Sequence, residues 1–372
     1  MQFNVNVQSL LDALNIATRA LSSARGNAPI LEGVYLSADQ DRLYMTCADG
    51  SLSIETSVPA EIKEEGTAVL PGKLFNELIR KLPGGEVSVK VNENYSAAIR
   101  CMSFKSNIVG MNPAEYSEIE RVKNGTTIQI PQKKLKEMIT HVVFAIATDE
   151  TRQILTGSLV EVTPDELRMV ALDGFRLSLQ RTSMPFNIPE GKENVHMLVP
   201  GRVMNEMSKI LNDSDEFCTI SFDNKKMEAT FGDITLTASL MAGEFIDYKK
   251  ILPPTFRTKV TVDRMMLLDA IDRASLLARE GKNNLIRMSF RTDIMTISSN
   301  ASLGDVLEEL PAELDGDPID MAFNAKYISD IIRNIDEEKI CLNLNSNVSP
   351  CVIAQQDGEE YLYLILPIRV MS

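Results

Sequence analysis

The chain has 372 residues, enough for two or three domains, and its 44% hydrophobic and 24% charged content is that of an ordinary core-forming protein. A formal net charge of −14 at pH 7 argues against a protein that grips nucleic acid by electrostatic affinity alone. No apolar stretch nears the ~20 residues of a membrane span, and Met1 to Val7 shows no signal pattern; the five cysteines (Cys47, Cys101, Cys218, Cys341 and Cys351) form no C-x-x-C pair, so a cytoplasmic protein with buried thiols is expected.

In chain order, alternation at Phe3, Val5 and Val7 predicts a strand, followed by an amphipathic helix over 7–25 with Leu10, Leu14 and Ala17 at i, i+4 and i+7. Pro29-Ile30-Leu31 opens a further strand, and Asp49-Gly50-Ser51-Leu52-Ser53 reads as a turn leading into another. The short strand 67–70 runs through Pro71-Gly72 into a second helix over 73–81. The series then restarts. Leu135, Ile139 and Val142 mark a helix over 133–146, Gln153-Ile154-Leu155 opens a strand, and Asp173-Gly174-Phe175-Arg176-Leu177-Ser178 repeats the turn and strand. Met197 to Val199 leads through Pro200-Gly201 into a helix over 201–211. A third round has Val260 and Val262, a helix over 264–282 with Leu267, Ile271 and Ala274, a strand opened by Asn284-Leu285-Ile286, and a helix over 325–334.

The three rounds match in letter as well as in period. Leu-Leu-Asp-Ala-Leu at 10–14 faces Leu-Leu-Asp-Ala-Ile at 267–271, and Pro-Gly-Lys-Leu-Phe-Asn-Glu-Leu at 71–78 faces Pro-Gly-Arg-Val-Met-Asn-Glu-Met at 200–207. An internal repeat of roughly 125 to 130 residues follows. It divides the chain into domains 1–126, 127–254 and 255–372, with junctions near Lys123-Asn124-Gly125 and Pro253-Pro254. Two helices per domain in a strand-rich background give an α+β fold, with the helices segregated to one face.

Catalytic chemistry is missing. The two histidines, His141 and His196, have no metal-ligand spacing. There is no phosphate-cradling glycine motif and no nucleophile elbow, and carboxylate clusters such as Glu313, Asp315 and Asp317 do not fit a calcium loop. No catalytic residue, metal or cofactor is expected. The positive charge, in contrast, is segregated: each of the six predicted helical segments carries more basic than acidic residues, leaving the acidity to the strands and loops. A basic helical lining and an acidic exterior suit a ring that holds DNA by topology and slides along the backbone without reading bases.

The opening strand and helix, Ala28-Pro29-Ile30-Leu31, Leu172-Asp173-Gly174-Phe175-Arg176-Leu177, Gly243-Glu244-Phe245-Ile246-Asp247-Tyr248 and Leu366-Pro367-Ile368-Arg369-Val370 together resemble, in the same order, the bacterial beta sliding clamp family. These are processivity subunits of DNA polymerase III. The resemblance implies three domains of one DNA-clamp fold, with helices packed on antiparallel sheets. It also implies a head-to-tail homodimeric ring around duplex DNA, with Leu276 and Leu277 at the dimer contact. It places DNA contacts at Arg25, Lys73 and Arg202. For the replicative polymerase, clamp loader and repair proteins it implies a pocket for short linear motifs. The matching positions are Leu155, Leu172, Gly174, Phe175, Arg176, Leu177, Ile246, Ile251, Leu364, Leu366, Pro367, Ile368, Arg369 and Val370. Taken alone, Leu155 and Ile251 read equally well as core, whereas Arg176 and Arg369 amid apolar strands favour a surface pocket. Asp149, Gln153 and Ile154 depart from the family pattern of an amide and aromatic residues, so the resemblance does not carry contact with single-stranded template to them. The alternative reading is a protein-only repeat scaffold, which would share the pocket and retain no DNA.

Overall fold

The computed structural model describes residues 1–21, 28–355 and 358–369, so Arg25 and Val370 lie outside the described residues. The chain forms two compact units, one of residues 1–136, 187–189 and 206–240, the other of residues 137–186, 190–205 and 241–372.

In the first unit, a five-stranded antiparallel sheet runs in the order 61–64, 2–6, 86–91, 96–101, 104–109. An eight-stranded antiparallel sheet runs 126–131, 217–222, 226–231, 234–239, 52–59, 42–48, 33–39, 66–71. Helix α1 (Val7–Ala17) starts at Asn6, whose Oδ1 accepts from the backbone N–H groups of Gln8 (2.9 Å) and Ser9 (3.2 Å). It buries Leu10, Ala13 and Leu14 as its periodicity requires. It ends at Ala17 rather than at 25: Thr18 turns its hydroxyl back onto the Leu14 carbonyl (2.6 Å) and a 3-10 turn, Thr18–Ala20, takes over. Helix α2 (Gly72–Arg80) has no side-chain cap. Gly72 is required because a Cβ there would lie 2.7 Å from Leu21 Cδ1, so its Pro-Gly entry is a matter of space as much as of turn chemistry.

Helices α3 (Gln132–Val143) and α4 (Gly201–Ile210) each follow a strand, 126–131 and 195–200. In the second unit, a twelve-stranded antiparallel sheet runs 195–200, 157–162, 166–172, 176–183, 361–365, 351–354, 339–344, 258–263, 304–315, 294–301, 285–291, 319–324. Helix α5 (Arg264–Ala278) is capped by Asp263 and helix α6 (Ala325–Arg333) by Asn324, each through side-chain acceptance of first-turn N–H groups. Leu267, Ile271 and Ala274 of α5 and Ile328, Ile331 and Ile332 of α6 close over Phe290, Phe323 and Tyr363 in one core.

The α+β, antiparallel architecture is the expected one. Two local expectations are corrected. Pro29-Ile30-Leu31 and Gln153-Ile154-Leu155 do not open strands but lie in 3-10 turns, Pro29–Glu32 and Glu150–Thr156, ahead of the strands at Gly33 and Gly157. The first is set by the fixed φ of Pro29. The second is started by Asp149, whose Oδ1 accepts from the Thr151 N–H at 2.9 Å. In the third round the corresponding strand, Leu285–Arg291, follows left-handed Asn283 and Asn284 (φ 63° and 49°). All five cysteines are free and buried. Among the described residues no helix is long and apolar enough to cross a membrane, and no cluster of side chains is arranged to hold a metal ion.

Candidate peptide-docking site

The strand Arg176–Ser183 and the strand Tyr361–Ile365 pair antiparallel in the second unit, with Arg176 opposite Ile365 and Leu177 opposite Leu364. Asp173 sets the turn ahead of the first strand. Its Oδ1 accepts from the N–H groups of Phe175 (2.9 Å) and Arg176 (3.0 Å), and Gly174 takes φ +92°, a conformation that favours glycine. Leu155, Leu172, Leu177 and Leu364 thereby meet in one buried cluster with Ala147, Leu159, Leu179 and Tyr248. They form an apolar floor. For Leu155 the choice between core and pocket thus resolves into a core residue that is also the floor; Ile251 stays exposed.

Above the floor the chain leaves apolar side chains in solvent. Phe175 is 57% exposed, and Ile246, Ile251 and Leu366 are exposed as well. Phe175 lies nearly parallel to Tyr327 of α6 (centroids 5.8 Å apart). The Leu366 N–H donates to the Phe175 carbonyl at 2.8 Å, and the Ile368 N–H donates to the Ala322 carbonyl at 2.7 Å. These two bonds tie the tail holding Leu366, Pro367, Ile368 and Arg369 beside the cleft, with Pro367 and Ile368 half-buried and Arg369 exposed.

Arg176 is a correction to the expected surface cation: it is 8% exposed. Its Nε donates to Asp173 Oδ2 (3.0 Å), its Nη1 to Asp330 Oδ2 of α6 (2.6 Å) and its Nη2 to the Phe144 carbonyl (2.6 Å). The guanidinium also lies over the rings of Phe144 and Tyr327 (5.2 and 4.6 Å to the centroids). It therefore positions the turn, the end of α3 and α6 rather than meeting a ligand.

Sequence reasoning missed several contributors. Met241, Phe245 and Leu252 pack against the floor, as does Ile154. Tyr248 pins the segment that carries them through a 2.6 Å bond from its hydroxyl to Glu161 Oε2. Burial pushes the Tyr248 hydroxyl well above the ordinary tyrosine range, and the Glu161 carboxylate adds to this, so it stays a donor. The signal was available in Gly243 to Tyr248, where aromatic residues alternate with polar ones, but only the fold shows which of them turn inward. Asp149 serves as the cap of the 3-10 turn, and the hydrogen bonds it accepts from the Thr151 N–H and hydroxyl hold its carboxyl below the usual range.

The remaining expected residues lie elsewhere. Lys73 and Arg202 are both exposed and occupy the same place, the second residue of α2 and of α4. Leu276 on α5 is 65% exposed and Leu277 half-buried. Nearby, Arg273 of α5 donates to both carboxylate oxygens of Glu308 (2.7 and 2.8 Å) on the strand Gly304–Asp315, and Leu303 and Leu307 are exposed. Residues 304–311 of that strand pair on one side only. In the first unit the strand Phe104–Val109 is also a sheet edge, and exposes Phe104, Lys105 and Val109 beside Met102 and Arg100.

Comparison with known proteins matches the DNA polymerase III beta subunit along almost the whole chain: its N-terminal domain at residues 1–120, its central domain at 129–247 and its C-terminal domain at 249–369. A beta sliding clamp of Staphylococcus epidermidis is 32% identical over 379 residues, with 99% of each chain covered. The crystal structure of the DNA polymerase sliding clamp from Bacillus subtilis matches with a TM-score of 0.94 at 31% identity, and covers 100% of both chains. A sliding clamp from Pseudomonas aeruginosa bound to griselimycin matches with a TM-score of 0.93 at 25% identity, again over 100% of both chains. Three clamp domains in order, at this identity and over this length, place the chain in the DNA polymerase III beta subunit family of sliding clamps.

Proposed function

We propose that the protein is a non-catalytic DNA sliding clamp, which tethers the replicative polymerase to duplex DNA. Two copies, each of three domains (1–126, 127–254 and 255–372), close head-to-tail into a ring in the cytoplasm, since a heterologous contact repeated twice is the smallest closed assembly. The helices turn their basic side chains to the DNA, with Arg25, Lys73 and Arg202 meeting phosphates without regard to sequence. Leu276, Leu277 and the two unpaired strand edges, 104–109 and 304–311, form the contact between copies; an unpaired edge is otherwise exposed to indiscriminate pairing.

Partners, namely the polymerase, the clamp loader and repair proteins, dock short motifs in the cleft. The observation that carries this reading is a buried leucine floor (Leu155, Leu172, Leu177, Leu364) under an exposed apolar rim (Phe175, Ile246, Ile251, Leu366). A buried floor costs no reorganisation on binding, and exposed aliphatic and aromatic rims supply anchors for an extended peptide.

The test is retention on nicked circular DNA after loading with a clamp loader and ATP, before and after the circle is linearised. Release on cutting is expected. Retention after cutting would mean ordinary affinity binding, and absence of loading would move the weight to a protein-only scaffold.

A further inference from the structure

The turn and strand that floor the docking cleft occur twice. In the first unit Asp49 repeats the role of Asp173: its Oδ1 accepts from the N–H groups of Ser51 (2.8 Å) and Leu52 (2.9 Å), and Gly50 takes φ +94° where Gly174 takes +92°. Leu31 sits in the 3-10 turn Pro29–Glu32 as Leu155 sits in Glu150–Thr156. The strand Ile234–Ser239 adds to the strand Leu52–Pro59, with Thr237 opposite Ser53, as Leu364 stands opposite Leu177. The result is a groove of about 260 Å³ lined by Leu31, Ala48, Gly50, Ser53, Ile119 and Thr237, among others.

The two grooves differ in their floors. Where the docking cleft has Leu172, Leu177 and Leu364, this one has Ala48, Ser53 and Thr237. Ser53 and Thr237 are each only 5% exposed, and neither Ser53 Oγ nor Thr237 Oγ1 has a hydrogen-bond partner. A buried hydroxyl left unbonded is destabilising, so two of them side by side on a groove floor call for a ligand that bonds both. Each hydroxyl donates one hydrogen bond and accepts others. A primary carboxamide, with one carbonyl oxygen and one NH2 in a plane, matches such a pair. The rim selects against a carboxylate, because Glu118 and Glu120 line the groove with a single cation, Lys226, which is itself bonded to Glu120.

We propose that this groove is a second docking site, specific for an extended peptide segment anchored by an asparagine or glutamine side chain. That the occupant is a peptide rests on the reading of the leucine-floored cleft as a peptide site; the choice of anchor rests on Ser53 and Thr237 alone.

The test uses the full-length protein with 13C-labelled alanine and leucine methyl groups, titrated separately with N-acetyl-glutamine methylamide, its glutamate analogue and N-acetyl-leucine methylamide. The glutamine probe is expected to shift the Ala48 and Ala238 methyls, and the glutamate probe to bind more weakly. In the variant carrying Ser53→Ala and Thr237→Val the glutamine probe should bind roughly tenfold more weakly. Thr237→Ser, which keeps the hydroxyl, should retain binding, and the leucine probe should shift Leu155, Leu177 and Leu364 in every variant. Unmoved Ala48 and Ala238 methyls, or equal affinity in the double variant, would overturn the second site. A leucine probe that fails to reach its own floor while the glutamine probe behaves as expected would instead count against the docking-cleft reading.

Discussion

Arg176 and Leu366 both belong to the segments that resemble the family's docking pocket, and the structure gives them opposite tasks. The guanidinium of Arg176 is enclosed between two carboxylates, a carbonyl and two aromatic rings. Removing it strands Asp173 and the half-buried Asp330 without their cation, a change that typically costs about 3–5 kcal/mol. Arg176→Met is therefore expected to lower the urea midpoint at an unchanged m-value, and to weaken docking only as the fold weakens. Leu366 is exposed on the rim, so Leu366→Ala should leave the unfolding midpoint within about 1 kcal/mol of the parent and yet abolish polymerase stimulation. If Arg176→Met kept full stability, the enclosed ion pairs would not be the reason for its burial. If Leu366→Ala stimulated normally, the rim would not be the docking surface. Sequence reasoning could not separate the two residues. A charged residue in an apolar strand looks the same whether it faces water or two carboxylates, one of which, Asp330, is 154 positions away.

At the scale of elements, the sequence carried the helices well because their signals are local: periodicity at 3.6, caps at Asn6, Asp263 and Asn324, and the Pro-Gly entries. The pairing of strands 52–59 with 234–239, and of 176–183 with 361–365, was not legible. Backbone hydrogen bonds between distant segments leave no mark on side-chain identity. The same holds for the bond that ties α1 to α4 in the first unit, where Glu206 Oε2 accepts from Arg19 Nη1 at 3.0 Å while its Oε1 accepts from Lys209 Nζ at 2.9 Å. Burial raises the Glu206 pKa, but the two cations outweigh it and hold the carboxyl below the usual glutamate range. A depressed folded-state pKa means that the stabilisation is complete above the ordinary glutamate value of about 4.3 and is lost as pH falls through the folded value. Glu206→Gln should thus destabilise the protein by about 1 kcal/mol at pH 7, a modest figure because water screens Arg19 and Lys209. The difference should shrink below about pH 4. Urea unfolding at pH 7 and at pH 3.5 measures it, and an equal difference at both would assign the effect to packing instead of charge.

For the whole molecule, the net charge of −14 is set against exposed Lys73 and Arg202 at equivalent places on two helices, and against a cationic strand edge. That edge, 104–109, exposes Lys105 opposite Arg100 of the neighbouring strand, with Phe104 and Val109 beside them. The edge at 304–311 exposes Asp305, Glu309 and Leu307. One edge is basic and the other acidic, both carry exposed apolar side chains, and each lacks a strand on one side. Two copies arranged head-to-tail satisfy both pairs of edges at once, whereas like edges facing each other would set charge against like charge. Reversing the basic edge with Arg100→Glu and Lys105→Glu should raise the dimer dissociation constant by roughly tenfold or more at low salt, with a smaller effect at high salt where the pairs are screened. Adding Asp305→Lys and Glu309→Lys to the same chain restores opposite signs across the contact, and should recover the dimer. Sedimentation velocity across a concentration series reads both variants directly. A reversed edge that dimerises as tightly as the parent would place the contact elsewhere, and a swap that fails to recover would mean that the edges meet through backbone and apolar contacts alone.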